Sequence, residues 1–176
     1  MKVIFVAGAW GSGTSAVMGA LDPLGVATFG PHAQSTDTRT PGTFELIPFR
    51  KIILDFIDEA SMSPRDDYGN EIDFWAQIAS ALRELGKRIE CGEFGVWPGG
   101  MPKVLALKMP LASLCLTAIV RAFDADIVLI HRPLNEIEAS RVRRRWPEQF
   151  GAKGANRLYS KLFTDIIGQK AHGASA

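Results

Sequence analysis

The sequence predicts an α/β fold in which a small, mostly parallel sheet is flanked by helices in a three-layer arrangement. Three short apolar runs, at residues 3–7, 103–108 and 126–131, have the length and composition of buried strands. Helical spacing of apolar residues follows each run, and alternation of strand and helix is typical of parallel sheets. The chain has 176 residues, 47% hydrophobic and 22% charged, which predicts one globular domain over 1–176 with a frayed tail at 168–176.

The charge and composition of the chain limit the binding partners and the cellular compartment that we expect. The formal net charge is +1, so no overall field attracts nucleic acid or an anionic membrane surface. Cys91 and Cys115 have no metal-ligand spacing, and reduced thiols are usual in the cytosol. The N-terminal apolar run is too short for a signal peptide, and the longest one elsewhere, 109–120, is far below the roughly 20 residues of a membrane span. We therefore expect a cytoplasmic protein without nucleic-acid or membrane partners.

The remaining elements follow from periodicity and from turn residues. A helix begins near Thr14 and ends around Gly25, a short strand is predicted at 26–29, and the aperiodic segment 30–42 has the length of a binding loop or lid. Thr43 is a plausible N-cap for a helix that runs to about residue 60. Further helices are predicted at 72–89, 111–123, 134–146 and 155–167. The glycine-rich segment 92–102 surrounds Trp97, which either lines an acceptor pocket or anchors a loop.

A glycine-rich turn connects the first strand to the first helix. Gly8, Gly11 and Gly13 allow successive backbone N–H groups to face one point, and a helix N-terminus there attracts anions. Thr14 and Ser15 add two hydroxyl groups at the same place. The spacing is that of the Walker phosphate-binding loop, but Thr14 stands at the position of the Walker lysine. The turn is therefore either an anion site or a steric requirement of a tight connection.

Two cations follow the other predicted strands. Lys108 ends the run 103–108, and Arg132 directly follows the run that ends at His131. Because ligands bind at the carboxyl ends of parallel strands, we expect both cations to lie near the glycine-rich turn. This coincidence favours the anion-site interpretation.

The stretch 131–140 resembles a motif of the sulfotransferase family, in which an arginine at a strand end is followed eight positions later by a serine. These residues are Arg132 and Ser140 here. The resemblance implies a P-loop NTPase-like fold, and it implies that this pair binds the 3′-phosphate of 3′-phosphoadenosine 5′-phosphosulfate (PAPS). It further implies that the 5′-phosphosulfate is bound by Gly11, Ser12, Gly13, Thr14 and Ser15.

Other pieces of the chain extend this resemblance. Residues 108–111 look like the Lys-Asp-Pro-Arg segment of bacterial sulfotransferase-like proteins, and Phe44-Glu45 precedes an apolar helix as it does in those proteins. The chain also departs from the family. Gly11 stands where the family has a lysine or arginine, Pro110 stands where cytosolic relatives have a catalytic histidine, and the C-terminal cofactor loop is shortened or lost.

The implied activity is transfer of a sulfuryl group from PAPS to a small-molecule or glycan acceptor, with no metal. Such transfer depends on alignment and on charge stabilisation, and the resemblance places Lys108 at the leaving oxygen. Histidine side chains in general can accept a proton near neutral pH. His32 lies in the predicted loop and Glu45 follows that loop, so both are candidates for the general base. The alternatives are a solvated strand end for Lys108 and surface or capping roles for His32 and Glu45.

Two other functions remain open from the sequence. A P-loop nucleotide or small-molecule kinase would also use the glycine-rich turn, although Thr14 replaces its lysine and neither later strand ends in a magnesium-binding aspartate. A non-catalytic nucleotide-binding module with the same fold is favoured by Gly11 and Pro110.

Overall fold

The fold is built around one three-stranded parallel sheet. In this computed structural model the described residues are 1–35, 42–65, 71–95, 100 and 102–173. The strands are β1 (Lys2–Gly8), β2 (Ile57–Asp58), β3 (Ser63–Pro64), β4 (Val104–Lys108) and β5 (Asp126–Ile130). The α-helices are α1 (Thr14–Leu21), α2 (Ile47–Phe56), α3 (Glu71–Glu90), α4 (Leu116–Phe123), α5 (Leu134–Arg144) and α6 (Ala152–Gly173). Short 3₁₀ turns lie at Asp22–Leu24, Pro110–Cys115 and Glu148–Phe150.

The sheet has the order β4-β1-β5, and both pairings are parallel. The register pairs Val6 with Lys108 and Gly8 with Ile130, so the carboxyl ends of all three strands lie at one edge. The predicted α/β class with a small, mostly parallel sheet flanked by helices is therefore confirmed. The two residues of β2 pair antiparallel with those of β3 in a separate hairpin.

Successive residues of β1 pack on opposite faces of the sheet, as strand geometry requires. Phe5 belongs to the larger apolar cluster, which includes Phe49 of α2, Ile78 of α3 and Leu158 of α6. Val6 belongs to a smaller cluster with Met18 of α1. Burial on both faces explains why the strand reads as a continuous apolar run.

The structure corrects the predicted start of the second helix. Thr43 is not an N-cap, because α2 begins at Ile47. The backbone around that point pairs with an earlier segment: Ala33 N–H donates to Glu45 O at 2.8 Å, and Ile47 N–H donates to Pro31 O at 2.9 Å. Backbone groups used in this long-range pairing are not available for a helical turn.

Three other predicted elements have different limits. The segment predicted as a strand at 26–29 forms a single bridge, between Ala27 and Leu105. The segment predicted as a helix at 111–123 begins as the 3₁₀ turn Pro110–Cys115, which brings the Ser113 hydroxyl within 3.2 Å of the Gly8 N–H. The last helix, α6, is longer than predicted and continues to Gly173.

Candidate functional site

A cleft of about 820 Å³ lies along the edge where the strands end. Its walls come from the connection after β1, from the segment before α2, from the end of β4, from the connection between β5 and α5, and from the residues at and after the end of α5. It is lined by seven of the residues that the sequence predicts as functional, namely Gly11, Gly13, Thr14, Ser15, Glu45, Lys108 and Arg132. The topology thus brings together residues that are more than 100 positions apart in the chain.

The glycine loop, residues 8–15, turns the chain from β1 into α1. Ser12 N–H donates to Ala9 O at 3.2 Å, and Gly13 has a φ of 102°, which favours glycine. The N–H groups of Ala16 and Val17 both reach Gly13 O. Among the described residues, no acceptor contacts the N–H groups of Gly13, Thr14 or Ser15. These donors lie at the N-terminus of α1 beside the cleft, where backbone dipoles favour an anion.

Ser12 differs from its neighbours in the loop. Its hydroxyl is buried and has no hydrogen-bond partner within the described structure. The oxygen lies 2.9 Å from the place where a Cβ on Gly8 would sit, so it is beneath the loop and the residue does not line the cleft. A Cβ on Gly8 would also lie 2.8 Å from Ile130 O, which explains the need for glycine at this position.

Lys108 lies at the bottom of the cleft and is held by three contacts. Its Nζ donates to Ser15 Oγ at 3.2 Å, to Thr43 O at 3.1 Å and to Glu45 Oε1 at 2.9 Å. Burial lowers the pKa of Lys108 below its ordinary value, and the Glu45 carboxylate opposes that shift. All three ammonium hydrogens therefore have acceptors within the protein.

Lys108 is one end of a row of alternating positive and negative side chains. We call this row the charge chain; it consists of Lys108, Glu45, Arg50 and Glu59. Arg50 Nη1 lies 3.2 Å from Glu45 Oε2, and Arg50 Nη2 lies 3.2 Å from Glu59 Oε1. All four residues line the cleft. Each carboxylate oxygen of Glu45 therefore faces a cation, Oε1 toward Lys108 and Oε2 toward Arg50.

Arg132 and Ser140 approach the loop from the other side. The Arg132 guanidinium donates through Nη1 to Gly11 O at 2.9 Å and through Nε to Glu136 at 2.7 Å. Ser140 is buried, and its Oγ lies 3.5 Å from the place where a Cβ on Gly11 would sit. Arg143 donates to the Ser140 hydroxyl at 3.4 Å. Gly11 therefore lies between the two residues of the predicted motif, although Ser140 itself does not line the cleft.

His32 is not brought to the cleft wall. It forms an antiparallel bridge with Leu46, and its ring packs 5.5 Å from the ring of Phe44. Glu45, the other candidate base, does line the cleft. Trp97 lies outside the described residues, so its predicted role stays a prediction.

An aromatic group lines the Arg132 end of the cleft, and sequence reasoning missed it. The group consists of Trp10, Trp146 and Phe150, and the ring centroids of Trp10 and Phe150 are 4.6 Å apart. The Arg144 guanidinium lies 4.5 Å from the Trp146 ring centre. The sequence gives only a weak indication of this group, because Trp146 and Pro147 follow the helix that begins two residues after Arg132.

The comparisons with known proteins add no identification. Family models, curated proteins and solved structures were searched, and none of them matches the chain significantly. Among the described residues no group of three or more His, Cys, Asp or Glu could hold a metal ion. In the same part of the chain, every helix is too short or too polar to cross a bilayer.

Proposed function

We propose that this protein is a P-loop, sulfotransferase-like protein that binds PAPS and transfers its sulfuryl group to a hydroxyl or amine of an acceptor. The observation that carries the proposal is the approach of Arg132 and Ser140 to Gly11. One residue follows a strand and donates to Gly11 O at 2.9 Å; the other is buried on a helix, with its Oγ 3.5 Å from the place where a Cβ on Gly11 would sit. An anion subsite at the loop and a second one at Arg132 fit a nucleotide with phosphates at its 5′ and 3′ positions.

The donors in the cleft support binding of such a cofactor. The N–H groups of Gly13, Thr14 and Ser15 have no acceptor among the described residues, which leaves them available for a 5′-phosphosulfate. The Arg132 guanidinium, with 36% of its side chain exposed, is available for a 3′-phosphate. The aromatic group lines the same cleft as Arg132, and its rings offer apolar surface for the nucleoside.

When bound, PAPS supplies an activated sulfuryl group on a phosphate leaving group. The chain contributes positive charge through Lys108, which is hydrogen bonded to Ser15 at the end of the loop. Glu45 is our candidate for the base, because it lines the cleft and its carboxylate lies 2.9 Å from Lys108 Nζ. The acceptor would then enter along the charge chain, and its proton would be held at the Glu45 carboxylate.

One observation favours a second candidate, a module that binds the nucleotide without transferring the sulfuryl group. The three hydrogens of Lys108 already have acceptors in Ser15, Thr43 and Glu45, so a leaving oxygen would have to replace one of them. Transfer of radioactive sulfate from labelled PAPS to a panel of alcohols and amines separates these two functions. Binding without transfer would favour the module.

Calorimetric titration with 3′-phosphoadenosine 5′-phosphate (PAP) tests the cofactor class directly, with 5′-AMP and ATP–magnesium as comparison ligands. We expect micromolar binding that requires the 3′-phosphate. Arg132→Ala should weaken PAP binding by about 1.5–3 kcal/mol, the contribution of a hydrogen bond to a charged group, and leave 5′-AMP binding unchanged.

Arg121→Ala is the matched control, because Arg121 is an exposed arginine of α4 outside the cleft lining. It should bind PAP as the wild type does. Equal affinity for PAP and 5′-AMP would contradict the proposal. Preferential binding and turnover of ATP–magnesium would instead support a kinase.

A further inference from the structure

Tyr159 of α6 contacts the strand end that carries Arg132. Its hydroxyl accepts a hydrogen bond from the Arg132 backbone N–H at 3.2 Å and donates one to Ile130 O at 3.4 Å. The residue is 4% exposed, and its ring packs against His131 with centroids 4.8 Å apart. One side chain thus contacts all three consecutive residues at the end of β5.

The Tyr159 hydroxyl is the acceptor for the Arg132 N–H, a backbone group that the pairing of β1 with β5 does not reach. The β1–β5 ladder ends where Gly8 pairs with Ile130, and Arg132 lies beyond it. A partly buried N–H group without an acceptor is costly, so its acceptor determines which backbone conformation is stable. The Tyr159 hydroxyl therefore fixes the peptide plane from which the Arg132 side chain leaves.

The same hydroxyl is linked to the glycine loop through Ile130. Ile130 O packs against Gly8, as the 2.8 Å distance to a Cβ at that position indicates. On the other side, Arg132 Nη1 reaches Gly11 O at 2.9 Å. The strand end that Tyr159 holds is thus in contact with both the first glycine of the loop and its middle.

We propose that Tyr159 is a positioning residue of the anion site, whose hydroxyl aligns Arg132 with the loop. The inference rests on the proposed function, because it assigns Tyr159 to the subsite for the 3′-phosphate. Tyr159 does not line the cleft, so it acts through Arg132 and does not touch the ligand. A role limited to packing in the core predicts that the ring alone matters, and Tyr159→Phe keeps the ring.

The experiment compares the wild type with Tyr159→Phe, Arg132→Ala and the double variant, using PAP and 5′-AMP in calorimetric titrations. Tyr159→Phe should weaken PAP binding about three- to tenfold, the effect of one hydrogen bond, and leave 5′-AMP binding unchanged. In the Arg132→Ala background the same change should have no further effect on PAP, because coupled residues are not additive. Amide hydrogen exchange measured by NMR without ligand should be at least about tenfold faster at Arg132 in Tyr159→Phe.

Leu162→Val is the control for a general loss of stability in α6, since Leu162 is buried in the apolar cluster. It should leave the ratio of PAP to 5′-AMP affinity unchanged. The proposal is overturned if Tyr159→Phe keeps that ratio, if its effect persists without Arg132, or if exchange at Arg132 does not change. If the wild type itself shows no preference for the 3′-phosphate, the proposed function fails, and the exchange rate at Arg132 still decides whether Tyr159 holds that residue.

Discussion

The two cations beside the glycine loop are held in opposite ways. The Lys108 side chain is 5% exposed, and its ammonium group contacts Ser15, Thr43 and Glu45. The Arg132 side chain is 36% exposed, and its partner Glu136 is 50% exposed. A buried charge is stable only when the protein compensates it, whereas an exposed ion pair contributes little and exchanges easily with solvent.

The same cleft therefore contains one cation that is fixed before a ligand binds and one that is available to a ligand. Lys108 joins the end of β4, the start of α1 and the segment before α2, so its position is set before any ligand binds. Arg132 keeps a hydrogen bond to Gly11 O, but its charged partner Glu136 is exposed and can be displaced by an anionic ligand. We therefore expect changes at the Lys108 end to affect stability first, and changes at the Arg132 end to affect ligand binding first.

Glu45→Gln should have the largest effect on stability. It leaves the buried Lys108 ammonium without a carboxylate, which should lower the free energy of unfolding by about 3–5 kcal/mol at pH 7. Urea unfolding measures this change. Glu84→Gln, which removes the exposed partner of Lys87, is the matched control and should change stability by less than about 0.5 kcal/mol.

The loss in Glu45→Gln should also depend on pH. Burial already lowers the pKa of Lys108 below 10.5, and removing Glu45 lowers it further. Between that lowered pKa and 10.5 the unfolded chain binds more protons than the folded chain, so stability rises with pH. Between the pKa of Lys108 in the folded variant and the higher pKa in the folded wild type only the variant gains stability in this way, so its deficit in urea unfolding should shrink as the pH rises through that interval. A deficit independent of pH would mean that the charge of Lys108 is not its cause.

Lys108→Met and Arg132→Met test the difference between the two cations, because each variant replaces a cation by the same neutral residue. Lys108→Met should cost about 1.5–3 kcal/mol of stability, because charged hydrogen bonds inside the protein are lost. Arg132→Met should cost less than Lys108→Met, because its ion pair with Glu136 is exposed and only its hydrogen bond to Gly11 O is partly buried. PAP titration should give the reverse order, with the greater loss of affinity in Arg132→Met. Equal effects of the two variants on both quantities would remove the distinction between the two ends.

Local sequence was sufficient to predict the elements whose stability is local. The strands β1, β4 and β5 are continuous apolar runs, and α3 has a regular apolar stripe. The structure contains the elements that these two patterns predict. The start of α2 could not be predicted, because it depends on pairing between residues 31–33 and residues 45–47. No periodicity in either segment indicates that the other one lies beside it.

The same distinction holds for the site. Parallel topology places strand ends together, which is why Lys108, Arg132 and the loop could be expected at one edge. The partners of these residues could not be expected. The pairing of Glu45 with Lys108 depends on the course of the segment before α2, and Tyr159 belongs to a helix whose sequence pattern indicates only packing. Compensation of charge and satisfaction of backbone groups are properties of the assembled fold.

Glu136→Gln should have little effect on stability and tests how firmly Arg132 is held. Glu136 accepts from Arg132 Nε at 2.7 Å, so it competes with an anionic ligand for the guanidinium. Loss of this exposed pair should change the free energy of unfolding by less than about 1 kcal/mol, whereas PAP should bind more tightly, by about two- to fivefold. Titration at two salt concentrations provides the control, because the difference between wild type and Glu136→Gln should decrease as screening increases. Unchanged or weaker PAP binding would mean that Glu136 orients Arg132 toward the ligand, and the exposed cation would then be as firmly organised as the buried one.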